Sequence, residues 1–138
     1  MPVIEVQPYT LKDVTFITSL SGGASSDYKK HLSGVTFTPT ASTVTWNGLG
    51  SNSFTDVATA TWVCTLDYAQ DWETTDSLSR FLHEHEGEEI EVTFKPVSSK
   101  LPTIEATLIV TPGAIGGAFG AVASASVSLG VNGRPELV

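Results

Sequence analysis

Cysteine is almost missing from this chain. Cys64 is alone among 138 residues, so no internal disulfide can form, which fits folding in a reducing cytoplasm. No apolar run approaches the roughly 18 residues of a membrane-spanning helix, so none is expected. The opening Met1-Pro2-Val3-Ile4-Glu5-Val6 has no basic region followed by an apolar block, so no signal peptide is expected. Basic side chains are scarce: 7 Lys and Arg stand against 15 Asp and Glu, a formal net charge of -8. Tight wrapping of a nucleic acid normally needs the opposite sign. An acidic surface can still face a polyanion if its task is to let the polymer pass without sticking. Plain solubility would account for the same charge.

Catalytic motifs are also lacking. No Ser sits in a Gly-x-Ser-x-Gly elbow, and the glycines from Gly113 to Gly120 have no Lys and no following helix, so they do not make a phosphate loop. Cys64 lies among bulky apolar residues with no basic neighbour to lower its pKa, which gives it a structural role. His83-Glu84-His85-Glu86 invites a search for metal, but helical residues two apart point about 200° from each other. His83 and His85 therefore cannot chelate one ion from a regular helix. The acids Asp67, Asp71, Glu73, Asp76, Glu84, Glu86, Glu88, Glu89 and Glu91 form a belt. A paired-carboxylate hydrolase would need one of them buried, and most surround a helix end, where a solvated face is expected. Trp62 and Trp46 are expected in the core, which leaves Trp72 as the candidate for a sugar-stacking platform. No catalytic, cofactor-binding or metal-ligating residue is assigned.

What the chain does have is alternation. An apolar content of 41% suits a globular domain with a real core, and Thr, Ser and Val recur in short alternating segments between turn signals. Strands are expected at Leu11–Leu20, Gly34–Pro39, Thr43–Trp46, Ala58–Tyr68, Glu88–Pro96 and Thr103–Pro112. Asn47-Gly48 is a strong turn signal, and Ser21 to Asp27 reads as a loop continued by the polar run Tyr28 to His31. Val97 to Pro102 reads as a second loop. One segment changes period: Leu78, Phe81, Leu82 and His85 form one stripe of a helix over 76–86. Thr74, Thr75 or Asp76 could cap it and Gly87 could end it. Gly120 to Asn132 then alternates almost unbroken, with Ala121, Ala123, Ala125, Val127, Leu129 and Val131 on one face and Ser124, Ser126 and Ser128 on the other. Nothing blunts this strand's edge, so a neighbour is expected along it. Ile115 and Phe119, in the Gly-rich connection before it, suit contact with another subunit.

These segments in this order carry a resemblance. Ala58 to Asp67, the helix Ser77-Leu78-Ser79-Arg80-Phe81-Leu82, and Ala125 to Pro135 with its Leu129-Gly130-Val131-Asn132-Gly133 resemble the major tail tube proteins of long-tailed bacteriophages. The likeness rests on pattern and order along most of the chain. It implies a mainly β fold, a β-sandwich or partly closed barrel flanked by one α-helix, with residues 1–138 forming a single domain. It further implies a non-enzymatic structural virion protein without cofactors. Such a subunit would self-assemble into stacked, hexameric rings, and DNA would pass through the lumen without sequence-specific binding. Its partners would be itself and other tail proteins, such as the tape measure, terminator and distal tail proteins, with no membrane. It would be assembled in the host cytoplasm and located in the virion tail. The alternatives are an Ig-like or carbohydrate-binding surface module, and a tail terminator or adaptor ring protein.

Overall fold

Period-two alternation decides which side of each strand reaches the core. In β6 (Thr61–Ala69) Cys64, Leu66 and Tyr68 are buried, Trp62 is half-buried, and Thr61, Asp67 and Ala69 face solvent. Because side chains alternate, a one-residue slip in register would turn the whole apolar set outward, so burial fixes the pairing. The computed structural model describes residues 1–20, 23, 25–99 and 102–138. Besides β6 its elements are β1 (Thr15–Leu20), β2 (Ser25–Asp27), β3 (Leu32–Thr40), β4 (Thr43–Asn47), β5 (Ser53–Val57), α1 (Leu78–Glu84), β7 (Glu89–Lys95), β8 (Ile104–Ile109), β9 (Ser124–Gly130) and β10 (Glu136–Leu137).

Strands pair antiparallel into a five-stranded sheet ordered β10-β8-β7-β1-β2, a three-stranded sheet ordered β3-β6-β9, and the separate hairpin β4-β5. The two larger sheets share one hydrophobic cluster. Phe16, Ile90, Val92, Phe94 and Leu108 enter it from one sheet, and Val35, Cys64, Leu66, Tyr68, Val127 and Leu129 from the other. Phe37 and Phe94 meet across it at 6.1 Å between ring centroids. Helix α1 adds Leu78 and Leu82. The β-bridge Leu108↔Val131 joins the sheets along one side. The mainly β, sandwich-like fold with one helix is therefore borne out, and the sheets do not close into a barrel.

Several local expectations are corrected. Ser77, and none of Thr74, Thr75 or Asp76, caps the helix: its hydroxyl accepts from the Arg80 amide at 3.3 Å and donates to the Asp71 carbonyl at 2.5 Å. Asp71 instead ties the preceding turn, where Oδ1 accepts from the Glu73 and Thr74 amides at 3.0 and 3.1 Å. Hydrogen bonding from the Thr74 side chain first, and then from the Thr74 and Glu73 amides, holds its carboxyl below the usual carboxylate range. The helix spans Leu78–Glu84, shorter than the expected 76–86, and Gly87 takes the left-handed turn beyond it at φ +84. Tyr28, placed by the sequence in a polar run, is buried and packs on His31 and Phe81. β2, β5 and β10 were not expected, and β9 begins only at Ser124. The expected loops fall partly on Ser21, Gly22, Ala24, Lys100 and Leu101, which lie outside the described residues. Ser77→Ala is expected to cost about 1–2 kcal/mol, because it removes a buried cap; a lower midpoint in urea unfolding at unchanged slope would register it.

Candidate assembly surface

Among the described residues β9 has β6 as its only full strand partner, and its other edge is open until Val131 reaches Leu108. The hydrogen-bond phase says which groups that edge presents. The Val131 amide bonds to the Trp62 carbonyl, and the Gln70 amide to the Ala123 carbonyl, both toward β6. The Asn132 amide turns the other way, to the Thr107 carbonyl. Antiparallel ladders alternate, so the odd-numbered residues of β9 bond inward to β6. Ser126 and Ser128 then direct their N–H and C=O groups to the open side, and Ser124 its N–H, while the Ser124 carbonyl accepts from Gln70 Nε2. Val127 and Leu129 are buried while Ser126 and Ser128 are exposed, so the alternation read from the sequence stands.

The connection leading into β9 is held in place. Gln70 Nε2 donates to the Gly116 and Ser124 carbonyls at 2.8 and 2.9 Å. Its Oε1 accepts from the Gly116 amide at 3.0 Å and from Trp72 Nε1 at 3.2 Å. Positive φ at Gly116 and Gly120, +103 and +82, bends the backbone where other residues would be strained. Thus anchored, the connection presents Ile115 and Phe119, with relative exposures of 68% and 107%. Gln70 was not singled out from the sequence, because a lone Gln carries no pattern. Gln70→Ala is expected to speed hydrogen exchange at the Gly116 amide at least ~10-fold, since it loses its bonded partner. Exchange read by mass spectrometry or NMR checks it.

The hairpin is the other exposed element. Every residue of β4 and β5 is exposed. The pairs Val44↔Asp56 and Trp46↔Phe54 fall on one face, with Thr43↔Val57 and Thr45↔Thr55 on the opposite one. Trp46 is therefore not in the core, as expected from sequence, but 61% exposed beside Phe54 at 60%. The signal for β5 was present: an Asn-Gly turn needs a returning strand.

The remaining candidates are dispersed or shielded. His83 lies edge-on to Trp72 at 6.3 Å, whereas His85 stacks on Phe81 at 4.9 Å and bonds Glu88 at 2.6 Å, so the two rings point apart. Among the described residues no three His, Cys, Asp or Glu side chains gather as for a metal. Of the acidic belt, Asp71 is half-buried and the rest are exposed. Burial pushes the Cys64 thiol up to about 12. The folded state thus favours the neutral thiol. That contribution is full below the ordinary thiol pKa of 9.0 and is lost as pH climbs toward about 12. Thiol reagents at neutral pH are accordingly expected to label Cys64 only after denaturation, as mass spectrometry would record.

No protein-family model matches the chain, and no curated protein matches it. Solved structures do. A chain from the virion of a native gene transfer agent particle superposes with a TM-score of 0.58 at 14% identity, covering 89% of this chain and 95% of its own. A chain from the tail of an empty gene transfer agent particle, determined with C6 symmetry, gives a TM-score of 0.65 at 16% identity over 95% and 99%. The chain shares the fold of these gene transfer agent particle chains. The expected likeness to tail tube proteins is thereby borne out at the level of the fold. Within this fold the open β9 edge, the anchored Gly-rich connection and the bare hairpin are exposed and apolar or unpaired, as are Val3, Ile4, Val6 and Tyr9 of the strand-free N-terminal stretch.

Proposed function

We propose that the protein is a structural subunit of a virion tail, residues 1–138 acting as one unit that self-assembles into six-membered rings stacked as a tube. The open edge of β9 carries this reading. A run of unpaired backbone groups flanked only by Ala, Ser, Val, Leu and Gly side chains is a template for strand addition from another copy. The C6 symmetry of the neighbour's tail supports six as the ring number. The net charge of -8 suits a tube that DNA traverses without adhering. Other tail proteins would cap and fill the tube, and no catalysis or cofactor is called for.

Electron microscopy of the purified protein tests the proposal. Rings or filaments of one diameter are expected. A strictly monomeric species at high concentration would overturn it, and rings that never stack would point to a terminator or adaptor. The surface-module alternative draws no support from Trp72, whose indole is half-buried and bonded to Gln70.

A further inference from the structure

Charge is distributed unevenly along the chain, and the gaps coincide with two exposed apolar features. No Asp, Glu, Lys or Arg occurs between Lys30 and Asp56, nor between Glu105 and Arg134. The first gap contains Val44, Trp46, Leu49 and Phe54; the second contains Ile115, Phe119 and Val122. All seven are exposed. Copies that each carry -8 repel one another, so they meet most cheaply where neither brings a charge. Both stretches also show preparation for contact. The hairpin is ordered as a cross-strand aromatic pair although a two-stranded hairpin is marginal alone. The Gly116 turn is fixed by Gln70, so presenting Ile115 and Phe119 costs little ordering entropy on binding.

We propose that the connection Thr111–Ala123 of one copy seats on the Val44–Trp46–Phe54 face of the hairpin of the next copy, an inference that rests on the tail-subunit reading. The two surfaces differ, so the contact is head-to-tail. Repeated, such a contact closes into a ring or extends into a stack. Phe119, the most exposed side chain of the connection, inserts against Trp46 and Phe54, and aromatic anchors of this kind dominate interface energies. The N-terminal residues Val3, Ile4, Val6 and Tyr9 are exposed and apolar too, but they flank Glu5 and belong to no strand or helix, whereas the hairpin and the connection are uncharged and held in place.

Cysteine cross-linking tests the pairing without touching the anchors. Asp56→Cys lies at the border of the hairpin face and Ala118→Cys beside Phe119; Cys64 stays buried and unreactive. Wild-type assemblies are first verified by electron microscopy. The two variants are then mixed, assembled and treated with a short bismaleimide. Cross-links between the Asp56→Cys and Ala118→Cys copies are expected, with each variant alone giving none. Phe119→Ser is expected to raise the concentration needed for assembly about 30-fold, with its melting temperature preserved. Intact assemblies without the mixed cross-link, or with Phe119→Ser assembling normally, would overturn this pairing while leaving the tail-subunit reading in place. Failure of the wild type to assemble would remove both.

Discussion

Leu129→Ala is expected to lower the free energy of unfolding by about 2–5 kcal/mol. Leu129 is 0% exposed and lies opposite Cys64 on β6, in the cluster where the two sheets meet. Truncation removes its transfer free energy and leaves a cavity walled by hydrogen-bonded strands, which cannot collapse to fill it. Since whole domains are stable by only about 5–15 kcal/mol, a large share of the stability goes with one side chain. Urea denaturation followed by tryptophan fluorescence measures it. A loss below about 1 kcal/mol would mean that β9 is not packed in the core, and the alternation argument for its inward face would fall with it.

Where one face of a strand is buried, burial imposes period two on the sequence, and β1, β6, β7, β8 and β9 were legible for that reason. The helix was legible through Leu78, Phe81 and Leu82, but its cap was not. Thr74, Thr75, Asp76 and Ser77 all suit an N-cap by type, and only the geometry of the Asp71 turn singles out Ser77. Tyr28 was misplaced because its neighbours Lys29 and Lys30 are polar, while its own ring turns in against Phe81. Trp46 was misplaced by the opposite logic. A large aromatic is normally buried, and an exposed one on a bare hairpin makes physical sense only with a partner, which a single sequence does not display. The same holds for the Gln70 bonds, which link residues 46 and 54 positions apart.

Ser126→Pro is expected to abolish assembly while leaving the monomer folded. The side chain of Ser126 is solvent-exposed, and by the ladder's phase its amide points to the open edge of β9, away from β6. Proline there removes a donor that no group among the described residues uses. Its ring projects where a neighbouring strand would lie, and its φ near −65° is tolerated at an edge. Ala125 before it is already extended, as a residue preceding proline must be. The monomer should therefore keep its circular dichroism, with a stability change of about 1 kcal/mol or less. Strand addition would lose a backbone hydrogen bond and meet a steric block at the centre of the edge. Sedimentation velocity should then find monomers at concentrations where wild type and a Ser126→Ala control form large particles. Proline at Val127 is the informative contrast: its amide faces β6, so that substitution should unfold the sheet itself. A Ser126→Pro protein that assembles like wild type would show that the β9 edge is not a subunit contact. The chain would then have to assemble through other exposed apolar surfaces, among which the uncharged loop and hairpin are the ones that copies of like charge bring together most cheaply.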